Sequence, residues 1–294
     1  MALERVPARD ASGPLPFHPA SGIGPAFSYR RPNHDWEEYM RSPITQQTIL
    51  EAVVRDARQV PDHAVTSVTW GVCLAAVQSQ YTGLASLVSH IAPKIGTIDQ
   101  SAATGKTQSA HELAATLLDP ATTNTDQASL AMAAVNSLLP PPGKESDLPG
   151  QDLLLRIGKG KKVAVIGHFP FVTALRKVCD TCWVLERRPQ PGDVEASEAP
   201  NILPQADVVA LTGTTLLNGT LADLLNLCRA DATVVMVGPT TPYAPSLFTC
   251  GIDILAGCDV VDSNQALDGI RGGKCFKGLE GTRQTAWARP GLAV

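Results

Sequence analysis

The chain has 294 residues, of which 44% are hydrophobic and 18% charged, with a formal net charge of −4. That supplies a sizeable core and suggests two domains. It excludes the basic surface that nucleic-acid binding needs, and there is no run of like charges suited to a tail.

No window approaches the ~20 uninterrupted apolar residues of a membrane span. The start, MALERVPARD, places charges and a proline where a signal peptide would have its apolar core. A cytoplasmic protein with no membrane partner is expected, and self-association is left open. The seven cysteines sit mostly beside apolar runs and read as reduced thiols.

Residues 1–40 are rich in Pro, Gly and Ser and read as an N-terminal arm, with one helical turn over 35–40. Ser42 as N-cap and Pro43 at the first helical position then start a helix that runs to about Arg58. Residues 63–78 read as a strand interrupted at Trp70-Gly71, and 84–91 as a second strand or a loop start. A polar stretch, 96–109, follows, with Asp99 as a cleft candidate. Two helices come next, over 111–118 and 125–139. Asn136, in the apolar helix AMAAVNSLL, needs buried partners, which an interdomain cleft could supply. Residues 41–140 thus read as a compact α+β unit.

The proline-rich stretch PPPGKESDLPGQD marks a linker over 141–152. After it, over 153–294, the rhythm is β-α-β. Continuous apolar strands are expected at 162–166, 182–185, 208–211 and 233–237, with a shorter one at 259–261. Helices fall at 172–179, 199–203, 221–229 and 263–270, the last ended by Gly272-Gly273. The fold class is α/β, a doubly wound parallel sheet preceded by a smaller α+β domain. The tail from Lys274 shows no clear period.

Three turns lie at the carboxyl ends of these strands, where open α/β sheets hold ligands. They are residues 167–170, 212–220 and 238–243. The second is dense in hydroxyls; its amides could hold an anion, and Thr220 could cap the following helix. His168 suits acid/base work or metal ligation. Glu186, eighteen residues on, sits where a Rossmann unit binds ribose, but the glycine fingerprint is missing. Cys179 and Cys182 form a CxxC without the second pair that zinc requires. Cys250, in a loop, is the more plausible reactive thiol.

The blocks IGHFPF, LERRPQPGD, ADVVALTGTTLLNGTL and GPTTPYAPSLFTCGIDILAG, in that order and spacing, resemble the heavy-metal chelation family. The resemblance covers 163–262, extends more weakly over 64–139, and leaves out the arm and tail. It implies an enolase N-terminal-like domain joined to a Rossmann-like domain, with a ligand site between them. By motif match that site carries Gly167, His168, Phe169, Glu186, Thr212, Gly213, Thr214, Asn218, Thr220, Gly238, Pro239 and Thr240. Thr240-Thr241 stands where relatives are expected to carry a Ser-Thr pair, and the long arm departs from the family pattern.

Three readings remain. The first is a binder of a divalent metal ion or metal complex through His168 and Glu186. The second is an enzyme using S-adenosylmethionine or a dinucleotide, with His168 as acid/base. The third is a non-catalytic small-molecule binder at the same place.

Overall fold

The computed structural model describes residues 44–88, 96–99, 108–142 and 149–292, all in one compact unit, Ser42–Val294. The expected arm, the turn at 35–40 and the Ser42-Pro43 start lie outside the described residues, as does the middle of the linker. No described helix is long and apolar enough to cross a membrane.

Helix α1 spans Gln46–Arg58 and is capped by Thr45, whose side chain accepts from the Thr48 amide. Its apolar face, Ile49, Val53, Val54 and Ala57, is buried. The stretch expected as one strand is a hairpin: β1 (Ser67–Trp70) and β2 (Leu74–Gln78) pair antiparallel. Gly71 marks the break. A Cβ there would lie 2.7 Å from the Ile270 carbonyl oxygen, so the gap in the apolar run serves a close approach. Strand β3 (Thr82–Ser86) follows, and β4 (Gly96–Asp99) emerges from the expected polar loop to give the order β3-β2-β1-β4. The Asp99 side chain lies outside the described set.

Helix α2 (Ala110–Ala115) and helix α3 (Asp126–Leu138) pack on this sheet from one side. Gly83 makes the fit possible, since a Cβ there would collide with the Ala133 carbonyl and the Ser137 amide on α3. His111, near the start of α2, is structural: its Nε2 lies 3.0 Å from the Ala57 carbonyl oxygen and its amide donates to Asp62.

Helix α4 (Gly150–Ile157) begins inside the expected linker. Its first residue sits against Ala256, where a Cβ would come within 2.6 Å of the Ala256 Cβ. The large sheet then builds as β5 (Lys162–Ile166), β6 (Thr181–Glu186), β7 (Val194–Glu195), β8 (Val208–Thr212), β9 (Thr233–Val237), β10 (Ile254–Val260) and β11 (Thr282–Ala288). The order is β11-β10-β9-β8-β5-β6-β7, parallel except for the edge strand β11, which lies in the tail that showed no period. Helices α5 (Val172–Leu175), α6 (Ala199–Ile202), α7 (Leu221–Leu227), α8 (Ser246–Thr249) and α9 (Ser263–Arg271) connect them.

Side-chain parity explains the continuous apolar runs. Val163, Val165, Val235 and Val237 face α4 and α5, whereas Ala164, Val209, Leu211 and Met236 face α1, α7 and α8. Both faces are covered, so neither register position is polar. The small sheet shares in this core. Val77 and Ala85 join the α1 and α3 side, while Leu74, Ala76 and Leu84 pack on Leu267 and Ile270 of α9.

Cys73 and Cys275 form a disulfide between the β1–β2 turn and the segment after α9. This corrects the expectation that all seven cysteines are reduced. The remaining five are free, and burial pushes Cys182, Cys228 and Cys258 up to about 12 and Cys250 up to about 11. Burial thus works against an activated Cys250 thiolate. A loop position did not expose it, because it packs against the core beneath α8.

Candidate functional site

Strand order reverses between β5 and β8: the chain leaves β5 for β6 on one side and returns to β8 on the other. Ligand crevices in such sheets open at this point, beyond the carboxyl ends of the strands. The turns after β5 and β8 meet there. Gly167 has φ +103, and a Cβ on it would sit 3.5 Å from the Thr212 Cβ and 3.4 Å from Phe169 Cε2. A side chain at residue 167 would be strained by this backbone conformation, while its Cβ would only touch the adjoining turn at ordinary contact distance. Phe169 stacks on Phe171 with ring centroids 5.0 Å apart.

Glu186, at the end of β6, reaches back to this turn. Its Oε1 accepts from the His168 amide at 2.8 Å and its Oε2 from the Arg187 amide at 3.0 Å. The carboxylate therefore shapes the turn. It is not held by Arg187 or Arg188 as a surface ion pair.

His168 has a partner that the sequence did not reveal. Its Nδ1 lies 2.9 Å from Asp193 Oδ2, and Arg176 Nη2 lies 3.1 Å from Asp193 Oδ1. The Asp193 side chain is fully buried, while a third of the His168 side chain (33%) is exposed. Burial would raise the Asp193 carboxyl. Hydrogen bonds from the Gln190 amide and from the His168 and Arg176 side chains outweigh this and hold it below the ordinary carboxylate range. In sequence Asp193 ends the turn PQPGD, where aspartate is ordinary turn chemistry. No local signal connects it to a histidine 25 residues earlier.

The turn after β8 is internally satisfied. The Thr212 hydroxyl meets the Thr214 hydroxyl at 3.0 Å and accepts from the Thr214 amide. The amides of Leu216, Leu217, Asn218 and Thr220 also bond within the loop, which leaves them unavailable to an anion. Thr220 does not cap α7 with its side chain. Its hydroxyl donates to Asn218 Oδ1 at 2.7 Å. The Asn218–Thr220 end packs away from His168, toward the loop at 122–124 and Gln46 of α1.

The turn after β9 has a different task. Strand β3 is a sheet edge, and an edge strand needs partners for its outward backbone groups. The Ser86 amide donates to Thr240 Oγ1 at 2.9 Å, and Asn136 Nδ2 donates to the Leu84 carbonyl at 2.8 Å and reaches the Pro239 carbonyl at 3.5 Å. Gly238, Pro239, Thr240 and Thr241 are buried beneath the small sheet. Gly213 lies under them, its missing Cβ leaving room for the backbone of Thr240 and Thr241. Asn136 faces the junction of the two sheets, and its partners are main-chain carbonyls on both sides.

A cavity of about 20 Å³ opens beside this junction, lined by Thr82, Leu84, Asn136, Thr241, Tyr243 and Asp259 among others. It has room for about one water molecule. The Thr241 hydroxyl is buried there without a hydrogen-bond partner among the described residues.

The structure therefore gathers Gly167, His168, Phe169, Glu186, Thr212 and Thr214 around the β5–β8 reversal. It assigns Gly213, Gly238, Pro239 and Thr240 to the packing of one sheet on the other. Among the described residues no group of three His, Cys, Asp or Glu could hold a metal ion. Cys179 and Cys182 are no exception; the Cys179 thiol donates to the Leu175 carbonyl.

Residues 150–288 match the family model DUF364, described as putative heavy-metal chelation. The resemblance read from the sequence motifs is thus borne out over the large-sheet part of the chain. An uncharacterized protein of Methanocaldococcus jannaschii is 34% identical over 122 residues, which is 40% of this chain and 47% of that protein. The chain thus matches about half the length of this curated relative. A DUF364-family protein of unknown function from Desulfitobacterium hafniense has TM-score 0.66 at 25% identity, over 83% of this chain and 98% of its own. One from Pyrococcus horikoshii shares the fold, with TM-score 0.64 at 20% identity over 82% and 99%.

Proposed function

We propose that the protein binds a small ligand, a metal ion carried in a complex, at the crevice where β5 and β8 diverge. His168 is the protein group that meets it. The observation that carries this reading is a partly exposed imidazole, held by a buried carboxylate, at the strand-order reversal. The family description supplies the metal as cargo.

The described donors do not fit a closed site for a bare ion. One imidazole stands alone, and both oxygens of Glu186 accept from backbone amides. A metal that arrives with most of its coordination supplied by its own chelator needs little more than one nitrogen donor. Glu186 then acts through the turn rather than as a ligand.

A second reading is an enzyme with His168 as acid/base. The buried Asp193 behind His168 favours it, because a base held by an orienting carboxylate is a common catalytic arrangement. A nucleotide-type cofactor has less support. The helix after β5 runs only four residues, Val172–Leu175, and the acid at the end of β6 is turned onto the His168 amide.

The test is elemental analysis and mass spectrometry of the purified protein, with calorimetry of wild type and His168→Ala against Zn²⁺, Ni²⁺ and their citrate complexes. Binding that depends on His168 and favours the complexes supports the reading. Equal binding by both proteins would sink it. A co-purifying S-adenosylmethionine or dinucleotide would move the assignment to the enzyme.

A further inference from the structure

We propose that Asp193 is a positioning residue that holds His168 as its Nδ1–H tautomer, so that Nε2 is presented as a lone pair. This deepens the binding reading above, but the geometry that supports it stands without any ligand.

The argument is an inventory of donors. Asp193 Oδ2 receives the Gln190 amide at 3.1 Å and faces His168 Nδ1 at 2.9 Å. Its Oδ1 receives Arg176 Nη2 at 3.1 Å. The Gln190 amide and the guanidinium can only donate, and an ionised carboxylate can only accept. A neutral imidazole bonded to that acceptor must carry its proton on Nδ1. Arg176 also donates to the Gly192 carbonyl at 2.8 Å, which ties the Asp193 loop to the residues after β5. The carboxylate is fully buried, so water does not compete for it. Nε2 has no hydrogen-bond partner among the described residues.

The tautomer selects a ligand class. A neutral His168 in this state cannot donate from Nε2 to a phosphate or carboxylate oxygen. It can give its lone pair to a metal centre, and a carboxylate on the far nitrogen fixes the orientation of the ring for that purpose.

The experiment is long-range ¹H–¹⁵N correlation spectroscopy of the ¹⁵N-labelled full chain at pH 8, with His168 assigned by the loss of its signals in His168→Gln. Wild type is expected to show a protonated Nδ1 and an unprotonated Nε2; an Nε2–H form or a mixture overturns the proposal. Asp193→Asn removes the carboxylate charge and leaves a single oxygen for the Gln190 amide, the Arg176 guanidinium and Nδ1 to share, and is expected to bring the Nε2–H form up to a detectable share, whereas an unchanged tautomer refutes control by Asp193. Arg176→Gln keeps the acceptor and is expected to keep Nδ1–H; a switch there also refutes it. If Asp193→Asn does not fold, wild type and Arg176→Gln still decide.

The citrate complex of Zn²⁺ is then titrated as the probe. It should shift Nε2 in wild type and bind about 10- to 100-fold more weakly to Asp193→Asn, while inorganic phosphate and citrate alone at pH 8 should leave Nε2 unmoved. The correct tautomer with no response to the Zn²⁺–citrate complex would retire the metal reading and leave the positioning role standing.

Discussion

Gly213→Ala tests the claim that the turns after β8 and β9 are pressed together to seat the small sheet. Gly213 is absent from the glycines with positive φ, so its backbone would accept alanine and the cost arises from packing alone. The added Cβ would lie 2.8 Å from the Thr241 nitrogen, 2.9 Å from the Thr240 carbonyl carbon and 3.1 Å from the Thr240 Cβ. Ordinary contact begins near 3.4 Å, so main-chain atoms must retreat by about 0.6 Å at the tightest point. They are not free to do so. Thr240 holds the Ser86 amide, Thr241 donates to the Gly238 carbonyl at 3.1 Å, and Tyr243 anchors the same segment to Thr285 on β11. Overpacking of this kind costs about 1–3 kcal/mol, and breaking the Ser86–Thr240 hydrogen bond adds about 1 kcal/mol. The expected result is a loss of about 2–4 kcal/mol. It would be read as a lower urea midpoint with an unchanged slope, together with faster exchange of the Ser86 amide. An unchanged midpoint would refute the idea that this close approach sets the position of the small sheet.

Other expectations are independent of it. Thr241→Val removes a buried, unpartnered hydroxyl and should be neutral or stabilising by about 1 kcal/mol; a clear loss in thermal unfolding would show that a water in the cavity satisfies Thr241. Asn136→Ala strips the Leu84 carbonyl of its partner and should cost about 1–3 kcal/mol in denaturant unfolding, whereas a change near zero would deny it a part in closing the β3 edge. Cys73 and Cys275 are 202 residues apart, so in the chain-entropy view their bond contributes about 5 kcal/mol. Cys73→Ser with Cys275→Ser should then unfold at much lower denaturant than oxidised wild type and match wild type in reductant; insensitivity to reductant would argue against the bond. Asp193 lies below its ordinary value of 3.8 in the folded chain. Its contribution is therefore complete above that pH and disappears as the pH falls through the folded value. The stability gap between wild type and Asp193→Asn should shrink as the pH falls below 4, and a gap that widened there would contradict that sign.

The parallel strands were legible because burial on both faces leaves an unbroken apolar run, as in Lys162–Ile166 and Thr233–Val237. What escaped was held by partners distant in sequence. Strand β4 exists because β1 needs a second neighbour, and β11 because β10 does; neither has a period strong enough to declare itself. The break at residues 71–73 looked like a flaw in one strand, because Ile270, which fills the gap, lies two hundred residues away. The same holds at the site. The turn around His168 was readable from its strand-turn-helix pattern. Asp193 was not, because only the fold brings a turn aspartate under that imidazole.

This difference bears on how the hydroxyl-rich turns should be understood. Thr212, Thr214 and Thr240 share one composition and all stand at strand ends, so sequence weighs them alike. The fold separates them by what lies opposite. Thr240 faces the bare edge of β3, and an unpaired backbone amide in a buried edge would cost more than a turn hydroxyl can gain from a dilute ligand. Its hydroxyl is therefore committed before any ligand arrives. Thr212 and Thr214 face each other across 3.0 Å and remain only part-buried, beside a glycine that brings the β5 turn alongside. A ligand bound at the reversal as proposed would meet those hydroxyls and His168 without first displacing the small sheet. On the proposed reading, binding there can proceed with both sheets in place, so His168→Ala should abolish it with the fold kept and only the bond to Asp193 lost. Gly213→Ala should instead lower stability first and reach the site only through the movement of its turn.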